Sequence, residues 1–190
     1  MVNELDSKCN SKIVVMIFTK EKGYITMREM RRKKQLLSEQ ETIEILERGT
    51  NGVLAVEGDD GYPYAVPLSY VYCDGKIYFH GAKKGHKIDA ISRNDKASFC
   101  VVDKDQIVPE KYTTYFRSAI AFGRVRSLDD DTEKREYLMK LAMKYSGIMG
   151  EDGCRNEMER EFPAVNVLEF TIEHMTGKEA IELVRAKQEK

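Results

Sequence analysis

From position 80 to position 87 the sequence runs HGAKKGHK: two histidines, three small residues and three lysines in eight positions. Gly81, Ala82 and Gly85 let a ligand come close to the backbone. Lys83, Lys84, His86 and Lys87 gather cationic groups where the following residues turn helical. The first amides of a helix lack partners and its macrodipole makes that end positive, so cations there are unfavourable until an anion joins them. A phosphate answers that conflict, because its oxygens accept amide and ammonium hydrogen bonds together. A lysine-rich turn bathed in water uses the same residue types, and the spacing is neither a Walker A loop nor a G-x-G-x-x-G dinucleotide turn. His80 adds a group whose charge changes near neutral pH. Such a group can pass a proton to a substrate, or simply hydrogen-bond a ligand.

The elements that must position this turn follow from periodicity. KIYFH (76–80) has strand character, and Ile88 and Ile91 share one helical face, so a helix is expected over 86–93. Upstream, SEQE (38–41) has the spacing of a capping box, starting a helix that Gly49 ends. GVLAVEG (52–58), YPYAVPLSYVY (62–72) and KIYFH are separated by the turns DDG (59–61) and CDG (73–75), the pattern of an antiparallel meander. Pro63 and Pro67 each remove a ladder donor. That suits a protected edge strand, or a strand whose free backbone groups meet a planar heteroaromatic ring.

Downstream, strands are expected over 96–103 and 118–128, around a polar loop at 104–114 that contains Pro109. A helix should run from Asp129–Asp131 to about Tyr145, with a loop and a short helix in 146–161. PAVNVLEFTIEHM (163–175) forms the last strand, and TGKE (176–179) repeats the capping-box spacing before an amphipathic terminal helix. The expectation is an α+β domain: a six-stranded antiparallel β-barrel with peripheral helices.

The bulk properties narrow the function. A length of 190 residues fits one domain. Thirty-one Lys+Arg against 32 Asp+Glu leave a net charge of −1, which argues against a broad nucleic-acid-binding face and makes any anion site local. Four dispersed cysteines without a C-x-x-C pair, and no histidine pair at helical ligand spacing, argue against zinc and against a disulfide scaffold. A cytoplasmic location is therefore expected. The apolar run IVVMIF (13–18) is too short to span a membrane. Residues 1–26 differ in character from the rest. They are expected to form an N-terminal extension to a domain over 27–190, with Met27 or Met30 as an alternative start, or else to supply one extra strand.

The ordered series GVLAV, DGYPYAVPLSYVY, DGKIYFHGAKKGHKIDAI, ASFCVV, YFRSAIAFGRVR and FPAVNVLEFTIEHMTGK resembles the pyridoxamine-phosphate-oxidase-like split-barrel flavoproteins. It is most similar to the branch that includes nitroimidazole-resistance proteins, and the likeness covers roughly residues 28–180. This resemblance implies a split barrel, a homodimer, and FMN at the subunit interface. The family's F-H-S-A-x-x-G-x-K pattern falls on Phe79, His80, Gly81, Ala82, Gly85 and Lys87. It implies that Lys87 and the turn hold the FMN phosphate, assisted by Lys83 or Lys84. Val66, Pro67, Leu68 and Ser69 match the strand that lines the isoalloxazine ring, and Arg117 and Ser118 match a segment that completes the site, from the same or the other subunit. Gly81 departs from the pattern, since the family serine and its hydroxyl are missing.

The implied activity is flavin-dependent reduction of a small molecule such as a nitroaromatic. Alternatives are a split barrel using deazaflavin or haem, and a flavin-storage protein without turnover. Oxidation of pyridoxamine phosphate is disfavoured, because the C-terminal EAIELVRAKQEK lacks the basic substrate-phosphate motif of the true oxidases.

Overall fold

In a computed structural model the described residues are 27–189, so the expectations for 1–26 lie outside them. Two Asp-Gly pairs start the sheet. Asp60 and Gly61, like Asp74 and Gly75, adopt positive φ (54° and 76° in each pair), the conformation that lets a tight turn match the twist of a hairpin. These turns join β1 (Asn51–Glu57) to β2 (Pro63–Ser69), and β3 (Val71–Cys73) to β4 (Lys76–Ala82). Three longer strands follow: β5 (Lys96–Val108), β6 (Thr113–Ser127) and β7 (Val165–Glu179). The helices are α1 (Glu39–Arg48), α2 (His86–Arg93), α3 (Asp131–Ser146), α4 (Gly150–Glu161) and α5 (Ile181–Gln188).

The seven strands of the described residues form one antiparallel sheet in the order β2-β1-β5-β6-β7-β4-β3. Six strands were expected; the seventh arises because the run 62–72 breaks at Tyr70. There the Tyr145 hydroxyl accepts from the Tyr70 amide at 2.8 Å and sits 2.7 Å from the Tyr70 carbonyl, taking the groups a ladder would use. Before the break the chain pairs with β1, and after it with β4. The two edges of the sheet therefore meet at one residue, but no ladder joins β2 to β3. The hydrogen-bonded sheet is open, not a closed barrel.

Inside the curl lie Leu54, Phe79, Phe99, Ala121, Leu168 and Phe170, all essentially inaccessible to water. The Ile45 and Leu46 side chains of α1 cover the same core. A second cluster under α3 and α4, including Tyr78, Leu138, Met158 and Val167, packs on the other side of β4 and β7.

The capping box on α1 is present, with Ser38 and Glu41 reciprocally bonded, and Gly49 closes the helix. TGKE is not a capping box. Residues 176–179 continue β7 against β6, Glu179 is buried beside Arg117 and Lys187, and α5 begins only at Ile181. The expected loop 104–114 is mostly ladder, because a bulge between Val102 and Lys104 re-registers β5 and lets the hairpin run on to Val108 and Thr113.

Candidate functional site

The turn 80–87 leaves β4 at its C-terminal end and enters α2. Gly85 is the residue before the helix, with φ at +123°, a conformation reserved in practice for glycine. No side chain caps α2; the Gly85 carbonyl accepts from Ile88 and Asp89, and the amides that precede them are left to an outside acceptor.

Lys87 is half-buried, and burial pushes its ammonium below the ordinary lysine pKa. Among the described residues no carboxylate or hydrogen-bond acceptor meets it. Its Nζ lies 2.9 Å from where a Cβ on residue 81 would stand, with Cε at 3.8 Å. The amine thus rests over the β4 backbone in the space that glycine leaves open. His80, the preceding β4 residue, faces solvent at its edge. Partial desolvation holds its pKa below the ordinary imidazole value, and the Lys87 charge adds to the effect, so both favour the neutral ring.

The other two lysines behave differently. Lys83 donates to the Pro163 carbonyl at 2.5 Å and so staples the turn to the start of β7, while Lys84 is exposed. His86, read from the sequence as one of the cationic groups of the turn, stacks on Tyr64 of β2 with ring centroids 4.1 Å apart, and its Nε2 is 3.6 Å from Asp59. This stack ties the phosphate-type turn to β2, the strand of Val66, Pro67, Leu68 and Ser69. There Val66 and Leu68 point towards the core, and Pro67 and Ser69 are exposed on an edge strand. The sequence carried no sign of the Tyr64–His86 contact beyond the aromatic character of both residues.

Arg117 and Ser118 are not brought to the turn within one chain. Arg117 pairs with Glu179, whereas His80 pairs with Val167, twelve positions earlier on β7. At about 3.3 Å per residue, that is a separation on the order of 40 Å along the strand. Arg117 is instead bound to Glu179 at 2.9 Å, with Asp103 at 3.8 Å. Arg124 and Arg126 are likewise engaged, the first by Asp95 and Glu173, the second by the buried Glu169.

A shallow groove of about 420 Å³ opens on the outer face of the sheet, lined by Ala55, Tyr62, Pro63, Lys96, Ser98 and Phe122 among others. Among the described residues no group of three His, Cys, Asp or Glu side chains can hold a metal ion, and no helix is long and apolar enough to cross a membrane.

The family model described as pyridoxamine 5'-phosphate oxidase matches residues 38–179, which includes β1 to β7 and the whole turn. The chain belongs to the pyridoxamine 5'-phosphate oxidase family. Solved structures share the fold at low identity. A candidate 5-nitroimidazole antibiotic resistance protein from Bacteroides thetaiotaomicron is 23% identical, with a TM-score of 0.61 over 75% of this chain and 85% of that one. A conserved hypothetical protein from Mycobacterium tuberculosis is 18% identical, with a TM-score of 0.69 over 80% and 90%. A flavocytochrome from Azotobacter vinelandii is 20% identical, with a TM-score of 0.66 over 83% and 74%. No protein of curated function matches the sequence. In this member of the pyridoxamine 5'-phosphate oxidase family, Lys187 of α5 is paired with Glu41 and Glu179.

Proposed function

We propose that the protein is an oxidoreductase that binds FMN at the 80–87 turn, works as a homodimer, and reduces small acceptors of the nitroaromatic class. One observation carries this reading: a half-buried ammonium, Lys87, stands without a counter-ion among the described residues, beside the uncapped start of α2. A buried cation without a partner is costly, and a phosphate monoester supplies the missing charge while accepting from the free amides. FMN ends in such a group. Lys87, Gly85 and the amides of α2 would hold it, with Lys84 free to assist, and Val66–Ser69 of β2 would run beside the ring.

The homodimer is supported by the outer face of the sheet. Pro67, Val53, Cys100 and Ile120 stand in register across four strands, and Ala65, Ala55, Ser98 and Phe122 form the next row. These rows carry no charge, and Val53, Ile120 and Phe122 are each more than a third exposed. In that dimer Arg117 and Ser118 would serve the turn of the other subunit, as the family pattern implies.

When bound, a flavin supplies hydride and single-electron transfer. The chain's own part is to fix the phosphate, exclude water from one ring face, and present a neutral imidazole at His80 that can exchange a proton. Among the described residues no acid or hydroxyl is hydrogen-bonded to His80, which favours a second reading: a flavin carrier in which His80 only orients the ligand.

The test is purification without added cofactor, a visible spectrum, the mass of any heat-released ligand, and solution mass. A yellow dimer releasing FMN is expected, and nicotinamide-driven reduction of a nitroaromatic panel separates enzyme from carrier. Full turnover in His80→Gln would remove His80 from proton transfer. A haem or deazaflavin spectrum would replace the cofactor assignment, and a colourless protein that stays colourless with FMN would overturn it.

A further inference from the structure

We propose that Gly81 is a positioning residue for the anion site: the absence of a side chain at 81 is what seats the Lys87 ammonium, from the first turn of α2, against β4. The inference rests on the phosphate-binding reading above and concerns how this chain achieves it.

Gly81 lies inside β4, paired with Asn166 of β7, in ordinary extended backbone rather than at a positive φ. No turn or strain therefore calls for glycine there, and a strand interior usually loses stability by having one. The reason for glycine is local. Within 4 Å of a Cβ built at 81, two atoms of the described residues lie outside its chain neighbours, Lys87 Nζ at 2.9 Å and Lys87 Cε at 3.8 Å. Real Cβ atoms do not approach that closely, so any side chain at 81 evicts the amine.

Eviction is easy, because the displaced atoms are the far end of a flexible side chain that no hydrogen bond or ion pair holds among the described residues. Two consequences follow. An alanine at 81 leaves the fold intact, since its Cβ meets no backbone and no core atom of the described residues. It also moves the half-buried cation of the turn outward into water, where its attraction for an anion is screened. Lys83 and His86 do not replace it, being committed to the Pro163 carbonyl and to the stack on Tyr64, and Lys84 is exposed, so water already screens its charge.

The experiment compares FMN with riboflavin, which has the same ring and no phosphate, in fluorescence titrations of wild-type protein, Gly81→Ala, Gly81→Ser and Lys87→Ala. Loss of a charge-assisted hydrogen bond to phosphate predicts FMN binding weaker by about tenfold to a hundredfold in Lys87→Ala. Gly81→Ala is expected to lose about fivefold or more, and Gly81→Ser to lose affinity rather than gain it from the added hydroxyl. Riboflavin affinity should be unchanged and the thermal midpoint should not fall in either Gly81 variant, a split that a merely structural glycine would not produce. If Lys87→Ala weakens FMN but Gly81→Ala binds both flavins as wild type does, the role of Gly81 is refuted and the phosphate site stands. If Lys87→Ala also binds FMN normally, the phosphate site itself falls, and the role of Gly81 with it.

Discussion

Removing one hydroxyl, in Tyr145→Phe, should destabilise the corner where the sheet changes partners. Tyr145 accepts from the Tyr70 amide at 2.8 Å and stands 2.7 Å from the Tyr70 carbonyl and 2.5 Å from the Thr50 carbonyl. With one proton, it donates to one of those carbonyls at a time. Phenylalanine keeps the ring but leaves the Tyr70 N–H and a carbonyl without their partner, next to a Tyr70 side chain that is wholly buried. Two ordinary hydrogen bonds contribute about 0.5–1.5 kcal/mol each, and an abandoned buried donor costs at the upper end of that range. Tyr145 is 39% exposed, so water repairs part of the loss, and we expect a cost of about 1.5–2 kcal/mol. In urea, with a slope of about 2 kcal/mol per M, the midpoint falls by somewhat less than about 1 M at fixed protein concentration. Tyr112→Phe, at a residue 98% exposed, is the control and should lie within about 0.5 kcal/mol of wild type. If Tyr145→Phe matches that control, the hydroxyl does not hold the break between β2 and β3, and the reason given for the seventh strand is wrong.

Two further outcomes concern charge. Ser38→Ala should cost about 1 kcal/mol by removing the cap on α1. Bonds to Lys187 and Ser38 lower the Glu41 pKa from 4.5 to about 2, so its stabilisation is present above pH 4.5 and lost as pH falls towards 2. The gap between wild type and Ser38→Ala in acid unfolding should therefore narrow over that window, and a constant gap would refute the coupling. Lys144, which donates to the Gly49 carbonyl at 2.5 Å and lies over the Tyr70 ring, has its pKa lowered by burial to about 8. Between that value and the unfolded value of about 10.4 the unfolded chain binds the extra proton, so wild-type stability should rise with pH relative to Lys144→Met. A flat difference between the two proteins from pH 8 to 10 would contradict the assignment.

Local signals in the sequence served well where the physics was local. The Ser38–Glu41 box, the two Asp-Gly turns, the short helix from His86 and the edge character of β2 are each set by neighbours a few residues apart, and each stands in the structure. What failed depended on distant partners. Thr176–Glu179 has capping spacing, but pairing with Arg117–Ile120 of β6 and burial of Glu179 against two cations outweigh it. The polarity of 104–114 suggested a loop, whereas an extended hairpin with one exposed face tolerates the same residues. Nothing near Tyr70 announced that a tyrosine 75 positions later would break its strand. In the candidate site, the small and cationic residues of the turn were legible, and the family resemblance named Lys87. The occupation of the Gly81 space by Lys87, the diversion of Lys83 and the His86–Tyr64 stack were not, because each depends on how β4, α2 and β2 meet.

The most direct measurement is the ³¹P NMR signal of FMN added to the protein, followed from pH 8 to pH 5. A phosphate gripped by the Lys87 ammonium and the open amides of α2 stays dianionic, so its bound resonance should hold its position well below the ordinary second phosphate pKa of about 6. A resonance that titrates like free FMN, or no bound resonance, would contradict the account.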